Sequence, residues 1–424
     1  LKISACVIAK DEEKNLPRLL KSLKGKFDEV ILVDTGSKDK TVEIAKSYGC
    51  KVFLHKWNGF ADARNRAVKE ATGDWLWHFD ADFELEEEEF RKALLFLKGA
   101  PPFIDGFFIG VKNLDFKGDV RTVSSHIFIH RKGIKWKGKV HESPTVKRAA
   151  SLPVFVNHYG YSDPQLLLKK AKRNLELLKE ELSSLKEGSK DYNYKLFYLL
   201  QTYNLLSFKE PPFIDKALKL AKEFLEKTKG NLEDYGFYTV FAYNYYLSLL
   251  FRREDFKGME RVLEEVKKLG LELPEFYFYS YKLKRTEGKG DEALKELLSC
   301  ALLLDKMLSN PFVVPYGGVS ECYSLFESEV VKGEPLKVSK DDLKEVRLLW
   351  KRRGGRNLGL LLFWIEEEEK KLKVIKKLAL RNPNDILIYA LLIPLISHSK
   401  SELKRYLSFS RIPKLLVSSS DNSL

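Results

Sequence analysis

Sulfur is scarce in this chain: 424 residues carry four cysteines and two methionines. Cys6, Cys50, Cys300 and Cys322 are too scattered for a zinc knuckle or a redox pair, and a reduced compartment fits them. Cys6 lies within an apolar run, where a free thiol packs as a small hydrophobe. Long hydrophobic runs are also lacking. None approaches the roughly 20 apolar residues that span a bilayer. The longest, ILIYALLIPLIS at 386–397, suits a buried helix instead. The opening LKISACVIAKDE has too short an apolar run for a secretory signal and no small-residue cleavage site, so a soluble, cytoplasmic protein is expected. Blocks of like charge are missing as well. Net charge is +14, yet basic and acidic residues are interleaved, which suits a heat-adapted Lys/Glu-rich surface of the thermophile type. No nucleic-acid partner is expected from that pattern, while peripheral contact with the inner face of an acidic membrane stays open.

What is present is material for large cores. Hydrophobic residues make up 44% and aromatics 12%, and the length suits two or three domains. Apolar runs at 3–9, 27–34, 50–56 and 74–81 alternate with helical patterns at 16–23, 41–49 and 61–72. Gly49 and Gly73 close the second and third of these helices. Strand–helix alternation at this spacing predicts βαβ units in a mostly parallel, Rossmann-like sheet. Such sheets bind ligands beyond the carboxyl ends of their strands, where Asp34 and Asp80 fall. DGFFIGVKN, SSHIFIHRK and PVFVNHYGY then predict the mixed half of the same sheet, closing a domain at 1–162.

After Pro164 the pattern becomes amphipathic helix after amphipathic helix. IDKAL (214–218), DFKGM (255–259) and GDEAL (290–294) are related helix starts, 35–41 residues apart, as in stacked tetratricopeptide-like repeats. An all-α repeat domain is expected over 163–305, followed by a further helical region over 306–424 with a frayed polar tail. The aromatic runs YGFYTVFAYNYYLSLLF and FYFYSY are expected mostly to fill the space between helices, with a few tyrosines left for a groove or for self-association.

WLWHFDADFEL (75–85) poses a chemical question, because an apolar strand ends in two carboxylates, Asp80 and Asp82. In an extended chain residues i and i+2 point the same way, so the pair repels unless a cation lies between them. A divalent metal shared with a diphosphate is an economical solution. The alternative is one Asp capping the next helix and the other solvated. The acidic run ELEEEEF (84–90) is better explained as the first turn of a helix, where negative charge favours the dipole.

Three stretches carry a resemblance. IAKDEEKNLPRLLKSL (8–23), VDTGSKDKT (33–41) and ARNRAVKEATGDWLWHFDADFEL (63–85) are similar to the motifs of family 2 glycosyltransferases of the GT-A fold, with Thr35 in place of a second Asp. WKGKVHE (136–142) and NHYGY (157–161) resemble the lipopolysaccharide-core glucosyltransferase group, and bacterial peptide S-glycosyltransferases of the sublancin type that append a tetratricopeptide-like domain. The resemblance covers about the first 160 residues. It implies a metal-dependent hexosyltransferase using a UDP-sugar donor, with inversion at the anomeric carbon and Mn²⁺ or Mg²⁺ as cofactor.

On that resemblance, Asp82 holds the metal, Asp80 the ribose or the metal, and His158 is a further candidate metal ligand. Ala9, Lys10, Glu12 and Ala81 resemble residues lining the nucleotide-sugar pocket. Asp34 would accept from the uracil ring N–H, or else merely form the turn in DTGSKD. Arg64 offers a cation toward base or diphosphate, or else sits on a solvated helix face. Glu142 is the candidate general base and His141 could orient acceptor or phosphate, the alternative being a loop charge pair. Trp136 could stack on an acceptor sugar or simply pack. The acceptor is expected to be a peptide or protein, with a glycan as the alternative, a lipopolysaccharide-core or lipid-linked sugar. A catalytically inactive nucleotide- or partner-binding scaffold is the reading from another class.

Overall fold

In a computed structural model of the chain, the residues described are 1–114, 120–160, 164–308, 338, 340–353, 356–383, 385–396, 398–399, 401–402 and 405–406. The Pro- and Gly-bearing connection at 310–320, Cys322 and the tail at 418–424 lie outside them. The chain divides into two compact units, Leu1–Asp255 and the residues from Phe256 on. The boundaries expected at 162/163 and 305/306 mark changes of composition, whereas compactness groups the first helices with the sheet.

The first unit is built on an eight-stranded sheet. Its sequence-order strands are β1 (Ile3–Ala9), β2 (Glu29–Asp34), β3 (Lys51–Leu54), β4 (Trp75–Asp80), β5 (Phe83–Glu84), β6 (Gly106–Leu114), β7 (Val120–Arg131) and β10 (Ala149–His158). In space they run β3-β2-β1-β4-β7-β6-β10-β5. Between β7 and β10 in sequence, β8 (Trp136–Lys137) and β9 (Ser143–Pro144) form a separate two-stranded ribbon. The β3-β2-β1-β4 half is parallel, as the βαβ spacing requires. β7 is antiparallel to both β4 and β6, which makes the whole sheet mixed. ISACVIA lies in the middle of the parallel half and is buried at every position.

Helices α1 (Leu16–Leu23), α2 (Thr41–Ser47), α3 (Phe60–Glu70) and α4 (Glu87–Lys98) complete the domain. Gly49 follows α2 at φ +79°, a left-handed conformation that a side chain disfavours. The acidic run does open a helix: Glu87, Glu88 and Glu89 are the first turn of α4. It also pins β10, because Glu89 accepts from the Phe155 N–H at 2.8 Å and Glu84 from the Tyr159 hydroxyl at 2.6 Å.

Four helices follow in the same unit, α5 (Pro164–Ser184), α6 (Lys190–Leu206), α7 (Pro212–Thr228) and α8 (Leu232–Arg252), and successive ones pack together. The Ser189 hydroxyl accepts from the Tyr192 N–H and so starts α6. Five of the aromatics here are core, with Phe197, Phe224, Tyr235, Tyr243 and Tyr245 buried, while others such as Tyr194, Tyr198 and Phe241 are partly exposed.

The second unit contains α9 (Phe256–Lys268), α10 (Pro274–Thr286), α11 (Gly290–Leu308), α12 (Lys340–Arg353), α13 (Arg356–Ile365), α14 (Glu368–Arg381) and α15 (Ile386–Ile396). The three related starts fall in α7, α9 and α11, two helices apart each time, as a helix–turn–helix repeat demands. Most of the apolar stretch at 386–397 forms α15, with Ile388, Leu392 and Ile396 fully covered and Leu395 exposed. Among the described residues no helix is long and apolar enough to cross a membrane.

Candidate functional site

Sheet register brings the strand ends together. Ala9 pairs with Asp34 and Ile8 with Asp80, so two carboxylates flank the carboxyl end of β1. Asp34 is 2% exposed. Its Oδ2 accepts from the Gly36 and Ser37 N–H groups at 3.0 Å, the turn that DTGSKD suggested. Its Oδ1 is buried and has no hydrogen-bond partner among the described residues. A cavity of about 450 Å³ opens here, lined by Asp34, Gly36, Ser37, Val42, Leu54, His55 and Lys56. An unsatisfied buried acceptor costs about 1–3 kcal/mol, so this atom calls for a donor.

Asp80 and Asp82 do not form the side-by-side pair that strand alternation suggested. β4 ends at Asp80, and residues 81–82 are a turn leading into β5. Each carboxylate therefore has its own cationic company. Asp80 Oδ1 accepts from Arg64 Nη2 at 2.7 Å. Asp82 is carried to the far side of the sheet end because β5, directly after it, pairs with β10 in the register Phe83–His158. There Asp82 Oδ2 lies 3.2 Å from His158 Nε2 and 3.7 Å from Lys170 Nζ. Burial pushes the Asp82 carboxyl up, but the His158 hydrogen bond with the His158 and Lys170 charges brings it below its ordinary value. Ala81, between them, is buried at 4%.

Arg64, on α3, is neither solvated nor projecting into open space. It is 2% exposed and clamps two carboxylates, with Nε donating to Glu142 Oε1 at 2.7 Å as well as Nη2 to Asp80. Burial disfavours its charge, yet Asp80 and Glu142 more than restore it and raise the pKa. Glu142 is thereby fixed at the sheet end.

Trp136 corrects an expectation. It is 4% exposed, its indole N–H donates to His130 Nε2 at 2.9 Å, and the Arg64 guanidinium lies 4.8 Å from its ring. His78 and His130, 3.0 Å apart, complete this buried network. A ring so enclosed packs the core and has no face for an acceptor sugar. His141 is likewise occupied. Its ring stacks on Tyr198 of α6 at 4.0 Å and 3°, and burial, with the Lys195, His126 and Arg173 charges, takes its pKa down to about 3. A neutral, stacked ring supplies no charge to phosphate at neutral pH.

At the exit of β1, Lys10 is exposed and Glu12 half-buried. Burial raises the Glu12 pKa; its hydrogen bond from Asn15 opposes this, and Asp82 and Asp80 add to the rise, so all three carboxylates share one electrostatic neighbourhood. Glu12, Asp80, Asp82 and Glu142 are faced by the permanent cations Arg64, Lys170, Arg173 and Lys195. Among the described residues, no cluster of three or more His, Cys, Asp and Glu side chains forms a complete metal cage. Asp82 with His158 instead makes an open two-ligand edge, which suits a cation that takes its other ligands from a diphosphate and water.

Residues 4–150 match the family model described as glycosyl transferase family 2. That match spans the sheet of the first unit as far as the start of β10 and stops short of the helices that follow. The GT-A-type sheet and the order of its motifs agree with the resemblance seen in the sequence. Among curated relatives, the SPbeta prophage-derived glycosyltransferase SunS of Bacillus subtilis is 28% identical over 234 residues, covering 52% of this chain and 54% of its own. A TPR repeat-containing protein of Synechococcus elongatus is 48% identical over 84 residues, 20% of this chain and 21% of its own. The chain thus spans between about a fifth and about half of the length of these relatives. A solved structure of S. aureus TarS 1–349 with UDP-GlcNAc is 18% identical, covering 64% of this chain and 93% of that one, at a TM-score of 0.35.

Several residues around the candidate site carried no sequence signal. Asn113, the register partner of His158 on β6, holds its Oδ1 2.6 Å from His158 Nδ1. Gly160 leaves room where Asp82 and His158 converge, since a Cβ there would lie 2.3 Å from Asp82 Oδ2 and 2.5 Å from His158 Nε2. From the helices, Lys195 of α6 donates to the Val140 carbonyl at 2.5 Å, and Glu181 of α5 accepts from the Lys139 N–H at 3.1 Å. The loop carrying Glu142 is therefore braced by α5 and α6. NHYGY flagged Gly160 as part of a motif, but pairing across elements so distant in the chain is set by tertiary packing.

Proposed function

We propose that this protein transfers a sugar from a UDP-type nucleotide sugar to an acceptor, with a divalent metal, Mn²⁺ or Mg²⁺, and inversion at the anomeric carbon. The observation that carries this reading is the unpartnered Asp34 Oδ1 beside a cavity of about 450 Å³, at the same sheet end as the acidic cluster. A uracil N–H is a donor of the right kind for that atom, and Ala9, Glu12 and Lys10 line the way from β1 to Asp80 and Asp82. Asp82 and His158 would hold the metal, which would supply charge neutralisation for the departing diphosphate. Asp80, fixed by Arg64, would meet the ribose. Glu142, fixed by the same arginine, is the carboxylate placed to receive the acceptor proton.

For the acceptor we favour a peptide or protein. Phe237 on α8 is 66% exposed and packs edge-on against Phe241 at 4.7 Å, giving an aromatic surface on a helix that packs against α6, one of the two that brace the Glu142 loop. Slow hydrolysis of UDP-sugars with Mn²⁺, followed by UDP release, tests the core of the reading. The wild type should leak sugar to water with at least one donor, and Asp82→Ala should stop it. Tight UDP binding with no turnover of any donor would favour a scaffold instead.

A further inference from the structure

Helix α5 lies beyond the residues matched by the family model, yet it delivers two cations to the site. Lys170 and Arg173 are three residues apart and so share one face of the helix. Lys170 Nζ is 3.7 Å from Asp82 Oδ2, too long for a direct hydrogen bond, and 3.1 Å from the point a Cβ on Gly160 would fill. The Arg173 guanidinium lies over the Phe60 ring at 5.0 Å, and its charge acts on Glu142 and Asp80. The Asn174 side-chain oxygen accepts from Arg173 Nε at 3.3 Å and from Nη2 at 3.1 Å, a contact on its own helix that engages one edge of the guanidinium and not Nη1.

The electrostatic demand is specific. A nucleoside diphosphate brings further negative charge to a cluster that already holds the four carboxylates Glu12, Asp80, Asp82 and Glu142. Arg64 is committed to Asp80 and Glu142. Lys170 is half-exposed and Arg173 exposed, and their charges act on Asp82 and on Glu142 and Asp80 respectively. Resting on the nucleotide-sugar reading above, we infer that Lys170 and Arg173 form the cationic subsite for the donor's diphosphate. As the anomeric C–O bond breaks, its electron pair passes to the β-phosphate oxygen. The acceptor's oxygen or sulfur forms the new bond and its proton goes to a carboxylate, for which Glu142 is placed. The charge left on the phosphate meets the Lys170 ammonium and the planar Arg173 fork. The first helix of the helical region is thereby part of the donor site.

Calorimetric titration of the full chain with UDP and with uridine, in Mg²⁺, tests the subsite. Lys170→Gln and Arg173→Gln should each weaken UDP by about 10-fold, the loss of one charge-assisted contact, and leave uridine unchanged. Lys170→Arg should keep most of the UDP affinity. Equal UDP affinity in wild type and both Gln variants would overturn the inference while leaving the nucleotide reading intact. A wild type that binds neither UDP nor uridine would sink that reading itself. Should Lys170→Gln fail to fold, Arg173→Gln alone carries the comparison.

Discussion

Asn113 Oδ1 lies 2.6 Å from His158 Nδ1, and this one contact fixes what the other ring nitrogen presents to Asp82. In the neutral ring, with the Nδ1 proton donated to Asn113, Nε2 carries a lone pair. It then faces the Asp82 carboxylate at 3.2 Å, and two acceptors so close require a proton or a cation between them.

Asn113→Leu should therefore weaken divalent-metal binding by about 10–100-fold, the usual cost of losing such a supporting partner. Mn²⁺ titration followed by electron paramagnetic resonance reads this directly, with uridine binding as the control for folding. Gly160→Ala should do the same by crowding, since its methyl would sit within 2.5 Å of both Asp82 and His158. Unchanged Mn²⁺ affinity in both variants would remove His158 from the metal site.

At Asp34 both oxygens are asked to accept, Oδ2 from the Gly36 and Ser37 N–H groups and Oδ1 from the base. An amide has only one acceptor oxygen. In Asp34→Asn the NH₂ group must oppose either the turn or the uracil N–H. UDP affinity should fall about 10-fold or more, the range for one unmatched buried polar group. Retained affinity by calorimetry would place the uracil elsewhere.

The helical brace predicts a split between binding and turnover. Lys195 is buried, donates to the Val140 carbonyl and pairs with Glu181 at 3.2 Å, two residues from Glu142 in the loop it holds. Lys195→Met keeps the side-chain length and removes the tether. Its kcat for donor hydrolysis should drop about 10–100-fold through misplacement of Glu142, with the donor KM nearly unchanged. Glu142→Gln should likewise keep UDP binding and lose transfer. A matched rise in KM would instead tie the loop to donor binding.

The sheet was legible because its signals are local. Strands at 3–9 and 74–81, the helix at 16–23 and the turn at Gly49 follow from period, apolar runs and one left-handed glycine. The strand ends at Asp34 and Asp80 were legible for the same reason. What Asp82 meets was not, because it depends on β5 adding to β10 across 75 residues of chain, and on α5 arriving with Lys170. Trp136 shows the opposite failure. An aromatic in a motif suggested ligand stacking, while its surroundings, Arg64, His78 and His130, belong to three other elements that local pattern does not connect.

In the second unit, Glu275 opens α10 while 3% exposed, with no side-chain hydrogen-bond partner for either carboxylate oxygen among the described residues. Burial pushes its pKa up to about 7, its own backbone N–H offsetting only part of the rise. The ordinary value, about 4.3, applies in the unfolded chain. A folded pKa above the unfolded one means that the native state holds the proton more tightly. Its contribution is thus fully present below about pH 4.3 and is lost as pH rises to about 7. The loss at pH 8 is on the order of 3 kcal/mol. Glu275→Gln, which cannot ionise, should raise the midpoint of thermal unfolding at pH 8 and change it little at pH 4.5. An equal shift at both pH values would show that the carboxyl does not titrate in this range on folding.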